Sequence, residues 1–198
     1  MATYYVSKTA GNDSNNGTTT STPFATIEKA FLKAVGDDVD PPQASTTSDG
    51  DTIEIIDSSV YYPTGTGGSN VQFPIGNSHA VFKNFTIKSG TDTSTGLRYK
   101  PCISGKNTNE SGSIANNIAF QYQQGWTIDG LEIRDFGTQA ASPKAKGLSS
   151  ADATYGKPTL IIKDCIIHHI KKRDDGGTND SGGSSAGVIE FSSDCGDG

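Results

Sequence analysis

The sequence predicts an all-β fold, a stack of strand-built coils behind one short N-terminal helix, and three observations point there. Gly, Ser, Thr and Asn supply 79 of the 198 residues, a composition suited to short strands joined by turns and unlike the Ala, Leu, Glu and Lys of a helical bundle. Hydrophobic residues make up only 32% and charged residues 19%, yet Ile, Val, Phe and Tyr recur in short clusters, which separates the chain from a disordered one. Finally, Trp126–Phe136 aligns without a gap on Leu160–Ile170, 34 residues later. Ile128 then falls on Ile162, Leu131 on Cys165, Ile133 on Ile167 and Phe136 on Ile170.

The elements follow in order. Thr3–Ser7 reads as a strand, and the Gly11–Gly17 cluster as turns. Ile27, Ala30, Phe31, Ala34 and Val35 form one apolar stripe at helical spacing, so a helix is expected over Pro23–Val35. Thr22 is its expected cap, Pro23 its first residue, Glu28 and Lys33 complement its dipole, and Gly36 stops it. Asp37–Asp51 reads as loop. Strands are expected at Thr52–Ile56, Val71–Ile75, Phe85–Lys88, Ile118–Tyr122, Trp126–Ile133, Leu160–Ile170 and Val188–Phe191. Polar segments such as Thr91–Thr95, Lys106–Ser113 and Asp174–Ser185 read as insertions between them.

Within the repeat, alternation holds to Ile128, slips at Asp129-Gly130, and resumes at Leu131 and Ile133. A period of two that skips a step marks a strand turning a corner. Phe85–Gly90 fits the first half of the same unit, 41 residues before Trp126. Strand–corner–strand units at this spacing fit coils stacked in register at about 4.8 Å. The first coil needs a cover against edge pairing, and the helix is placed to supply it. Residues 1–50 therefore read as strand, capping helix and loop, and 51–198 as stacked coils. Gly187–Phe191 reads as a fresh coil with nothing after it to cover it, so a longer polypeptide, or a second chain capping this end, is expected.

A net charge of −6 argues against nucleic acid, which needs a basic face, and against anionic lipid. No run reaches the ~18 apolar residues of a membrane span. The opening Met1–Val6 has neither a basic region nor an apolar stretch of about 7–15 residues, so no secretory leader is read there. Three cysteines, Cys102, Cys165 and Cys195, are widely spaced and odd in number. The expectation is reduced thiols packed as small hydrophobes, without a zinc site or disulfide framework.

Tyr4–Ser7, Gly11-Asn12-Asp13, Gly17 and Pro23–Ala30 together resemble the opening of right-handed parallel β-helix proteins of the pectate-lyase-like superfamily. Gly50–Ile53 followed by Tyr61-Tyr62 is similar to that family's first coil, with the two tyrosines in a turn, and Trp126–Ile133 to its repeat consensus. The resemblance implies a right-handed parallel β-helix, and often a homotrimer. It spans polysaccharide lyases, glycoside hydrolases, epimerases, bacterial surface proteins and bacteriophage tailspikes. Combined with the lack of a leader, it gives as the leading expectation a virion protein: a tailspike, fibre or capsid decoration that is structural or binds a receptor polysaccharide. A secreted polysaccharide lyase or glycoside hydrolase is the alternative, and a bacterial surface adhesion module the second.

Each candidate site has a plain competitor. Asp174, Asp175, Asp180, Asp194 and Asp197 could offer oxygen ligands to calcium, as the lyase branch of the resemblance implies, but a solvated acidic loop explains them as well. No cofactor is expected. Lys171, Lys172 and Arg173 beside that loop could supply a lyase base, or be a charged corner. Glycoside hydrolysis needs two facing carboxylates. Asp129 and Glu132 point outward here, but Lys163 and Ile166 take their places in the next repeat. His168-His169 falls where Arg134-Asp135 stands, so both histidines are expected in exposed slots, although metal binding and general base chemistry are open to them. A serine nucleophile elbow is not supported. Tyr4, Tyr5, Tyr61, Tyr62, Tyr99, Tyr122 and Trp126 could stack on sugars, but packing is the expected role for most. No catalytic residue is assigned.

Overall fold

A computed structural model describes residues 1–36, 47–62, 81–106, 118–136, 146–150, 159–170 and 187–190. The described residues are mostly β, with one helix. The elements are β1 (Thr3–Val6), α1 (Ile27–Ala34), β2 (Thr47–Asp49), β3 (Thr52–Ile55), β4 (Val60–Tyr61), β5 (Val81–Lys83), β6 (Thr86–Ser89) and β7 (Cys102–Ser104). They continue with β8 (Ile118–Tyr122), β9 (Trp126–Asp129), β10 (Glu132–Arg134), β11 (Lys146–Ser150), β12 (Leu160–Lys163), β13 (Ile166–His168) and β14 (Gly187–Glu190). The described residues hold no helix long and apolar enough to cross a membrane.

Every strand pairing among the described residues is parallel. The largest sheet runs β1-β3-β6-β9-β12, a second β13-β10-β7-β4, a third β14-β11-β8, and β2 pairs with β5. From β6 onward the chain visits the first, second and third sheets in a fixed cycle. The registers explain the repeat. Leu160 pairs with Trp126 and Ile162 with Ile128, Ile166 with Glu132 and Ile167 with Ile133, all at the 34-residue offset. The 41-residue offset recurs as Thr127 opposite Thr86.

In-register pairing puts like residues on like. Ile53, Ile87 and Ile128 form one buried row in the first sheet, and Tyr61, Ile103 and Ile133 one in the second. Polar residues at the alternate positions face outward, as a period of two requires. The corner within each unit stands where alternation slips: β9 ends at Asp129, Gly130 takes φ 73°, and β10 begins at Glu132.

The helix differs from expectation at its start. Thr26, not Thr22, is the cap, with Oγ1 accepting from the Lys29 amide, and Pro23 lies outside the helix. Phe24 instead forms a parallel bridge with Val6, because extending β1's ladder satisfies its backbone and buries its ring. The dipole placements of Glu28 and Lys33 and the stop at Gly36, φ 71°, hold. The helix packs on β1 and β3. Phe31 reaches past them to stack on Phe85 at 5.3 Å and Trp126 at 6.1 Å, and meets Phe82 edge-on.

Further corrections are local. Asp37–Asp51 contains a strand, β2, because β5 offers it a partner. Tyr61 lies in β4, buried, with its hydroxyl donating to Asp57. The segments Trp126–Ile133 and Leu160–Ile170 each divide into two strands at the corner. The expected strand at Val71–Ile75 lies outside the described residues, as does Phe191.

Candidate functional site

The corner between the first and second sheets carries a cluster of charged side chains from three successive parts of the chain. Residues 90–101 fold across it as a small hairpin. Thr91 bridges Arg98 in antiparallel fashion, and the Asp92 amide donates to the Leu97 carbonyl. Asp92 accepts from the Ser94 amide and hydroxyl, which holds its carboxyl below the usual range. Ser89 Oγ donates to the Tyr99 carbonyl at 2.8 Å and fixes the return.

The hairpin delivers Arg98 onto two successive coils. Its guanidinium donates to Asp129 at 2.9 Å, Asp164 at 3.2 Å and the Ser89 carbonyl at 3.4 Å. The Asp129 hydrogen bond is the main reason that Arg98 binds its proton more tightly still. Gly130 makes the approach possible: a Cβ there would stand 2.7 Å from the guanidinium carbon.

A groove of about 300 Å³ lies beside this clasp, lined by Arg98, Tyr99, Lys100, Gly130, Leu131, Glu132, Asp164 and Ile166. Lys100 is exposed at its rim. Ile166 is 64% exposed, unusual for a large apolar residue on a strand, and gives the groove an apolar patch between charged groups.

Further along the same outward face, Glu132 accepts from His168 Nε2 at 2.9 Å and pairs with Arg134 Nε at 3.2 Å. Arg134 also donates to Asp135 at 2.9 Å and to Cys102 Sγ at 3.1 Å, and Lys106 stands 3.8 Å from the same Asp135 oxygen. His168 and His169 face each other through Nδ1 atoms 2.9 Å apart. Among the described residues, no three or more His, Cys, Asp or Glu side chains are grouped to hold a metal ion.

Asp129 and Glu132 do face outward, and Lys163 and Ile166 do occupy their places on the next coil. The structure gives each carboxylate a cation, Arg98 for Asp129 and Arg134 for Glu132. Contrary to the expected exposed slot, His168 is partly covered, because Glu132 on the neighbouring strand holds its ring; His169 is exposed. Trp126, Tyr122 and Tyr61 are buried, so packing is their role. Cys165 packs where Leu131 stands one coil earlier, and burial pushes its thiol up. Cys102 is more than filler, since it receives the Arg134 guanidinium. Asp174, Asp175, Asp180, Asp194, Asp197, Lys171, Lys172, Arg173 and Cys195 lie outside the described residues.

Sequence reasoning missed Arg98 and Asp164, which meet only through coil stacking. It also passed over a Gly-x-Ser-x-Gly string at 183–187. A nucleophile elbow follows a strand and opens a helix, whereas this string runs into β14.

No family model matches the sequence, and no curated protein matches it. Among solved structures, the chain is similar to a GH136 lacto-N-biosidase from Eubacterium ramulus. Its native crystal structure gives 13% identity and a TM-score of 0.39, and the selenomethionine derivative 14% and 0.37. Each alignment covers 87% of this chain and 34% of that one. The chain thus spans about a third of that enzyme's length, and likeness at this level carries neither fold nor activity across.

Proposed function

We propose that this chain is a right-handed parallel β-helix that binds polysaccharide, set on a virion surface as part of a tailspike, fibre or capsid decoration and assembled as a homotrimer. The observation that carries the binding reading is the groove beside the Arg98 clasp. It pairs an exposed apolar patch at Ile166 with Tyr99, Lys100 and Glu132, the mix of apolar surface and sparse polar groups that sugar rings use. The parallel sheets visited in a fixed cycle support the β-helix. The virion setting and the trimer rest on the resemblance of the opening residues to a superfamily that includes tailspikes.

Holding is favoured over cutting by what surrounds the carboxylates. Here Asp129 and Asp164 sit against Arg98, and Glu132 and Asp135 against Arg134, so the oxygens that a cutting site would use are already committed to fixed partners.

The test is binding to bacterial surface polysaccharides, measured for the wild-type chain and for Lys100→Ala and Ile166→Ser, with product release followed in the same samples. Expected are retained glycan, binding weakened about ten-fold or more in each variant, and no release of reducing ends or unsaturated sugars. Product release would move the chain to the lyase or hydrolase reading. Wild-type binding unchanged in both variants would remove the groove from the account.

A further inference from the structure

We infer that His168 and His169 form a two-nitrogen chelate for a divalent copper or nickel ion on the outward face of β13. This site is separate from the sugar-binding reading and stands on its own geometry.

Adjacent residues in a strand point to opposite faces, so neighbouring histidines do not ordinarily meet. His169 escapes that rule because its φ is +54°. The left-handed backbone just past the end of β13 swings its ring back beside that of His168. The Nδ1 atoms come to 2.9 Å with ring centroids 4.5 Å apart. Two imidazole nitrogens about 2.0–2.1 Å from one ion and at right angles to each other stand about 2.9 Å apart, and their rings splay to centroids about 4.5 Å apart. A tetrahedral ion would hold the nitrogens at about 3.3–3.4 Å. A straight N–H···N bond would put the centroids at about 5.2 Å, wider than observed. Both spacings therefore fit a right-angle pair, the preference of Cu(II) and Ni(II).

The surroundings are those of a ligand histidine. His168 Nε2 lies 2.9 Å from Glu132 Oε1, and a carboxylate there accepts a hydrogen bond from Nε2–H, which keeps the proton on Nε2 and leaves Nδ1 its lone pair. In the metal-free chain the His169 Nδ1–H donates to that lone pair. On binding, the His169 proton moves to its exposed Nε2, so two neutral imidazoles supply two lone pairs. Asp135 has Oδ2 held by Arg134 and Lys106, while its Oδ1 faces His169 Nδ1 at 3.9 Å. The two carboxylates, Glu132 and Asp135, and the two cations, Arg134 and Lys106, balance, so the ion's charge meets a locally neutral face. Water fills its remaining positions.

The experiment titrates Cu²⁺ into the tag-free, metal-stripped full chain near pH 7.5, read by calorimetry and electron paramagnetic resonance. One ion per chain with coupling to two nitrogens is expected. His168→Gln and His169→Gly should each weaken binding more than ten-fold, glycine keeping the positive φ so that the fold survives. Glu132→Gln, which touches no metal, should weaken it about ten-fold or more by releasing the His168 ring. His79→Asn should change nothing. No binding by the wild type, or a two-nitrogen spectrum that persists in the His168→Gln/His169→Gly double variant, would overturn the site.

Discussion

Asp57 shows how one buried side chain ties the N-terminal strand to the stack. Its carboxylate accepts from the Ser7 hydroxyl at 2.9 Å, the Thr9 amide at 3.0 Å, the Ser59 amide at 3.1 Å and the Tyr61 hydroxyl at 2.9 Å. Burial alone would raise its affinity for a proton, but these donors together outweigh burial and hold the carboxyl below its usual range. The Tyr61 phenol moves the other way, pushed up by burial and by the Asp57 charge, so it stays a donor. The linkage follows in sign. A group whose folded value is depressed contributes stability that is complete above its unfolded value, near 3.8, and is lost as pH falls through the lower folded value. Urea midpoints of the wild type should therefore hold from pH 7 to about 5 and decline below about 4. Asp57→Asn turns one acceptor into a donor facing donors, so it should cost about 1–3 kcal/mol at pH 7. It should also flatten that acid limb, and an acid limb unchanged in the variant would assign the decline to other carboxylates.

At the scale of the element, the corner and the helix carry the argument. Gly130 combines φ 73° with the Arg98 guanidinium where a side chain would begin. Gly130→Ala should cost about 1–3 kcal/mol through backbone strain and displace Arg98 from Asp129, seen as a loss of stability that Arg98→Ala does not add to in the double variant. Phe31→Ala should cost about 3–5 kcal/mol, the range for emptying an aromatic site in a core, because the ring touches Phe82, Phe85 and Trp126. These elements also show what was legible beforehand. The paired units at 126–136 and 160–170 were readable because inward aliphatics recur at fixed spacing and the corner interrupts the alternation. The helix was readable from its stripe, but its cap was not, since Thr22 and Thr26 both precede it and only the Val6–Phe24 bridge decides between them. β4 and β7 are two or three residues long, too short to show a period. The clasp was illegible for a different reason: Arg98, Asp129 and Asp164 lie 31 and 66 residues apart, and only the stacking register joins them.

Across the whole molecule, stability should grade along the stack. In a parallel array each strand's amides are satisfied by its neighbours in the sheet, and its inward side chains by the coils on either side. β6 and β9 have paired strands on both sides within the first sheet, and β10 likewise within the second, whereas among the described residues β12 and β13 stand at the ends of theirs. The burial follows that order. Ile87, Ile128 and Ile133 are fully buried, while Leu160, Ile162 and Ile167 on the end strands are only partly so, and Ile161 on the outward side is 54% exposed. Apolar area left in water forgoes about 25 cal/mol per Å², so the end strands gain less from the core than the strands inside it. Local opening should be cheapest where burial is least. Hydrogen exchange in the native state should therefore find the amides of β6, β9 and β10 slowest, at or near the global unfolding limit. Those of β12 and β13 should be faster by about a factor of ten for each 1.4 kcal/mol of difference in opening cost. Ile133→Ala should accelerate exchange in β7, β10 and β13 together, since Ile103, Ile133 and Ile167 share one row. Equal protection in β9 and β12 would mean that something further packs on the β12 and β13 edges in solution, a second copy of the chain among the candidates. Dilution through the micromolar range would then separate a partner, whose protection falls with concentration, from intramolecular cover, whose protection does not.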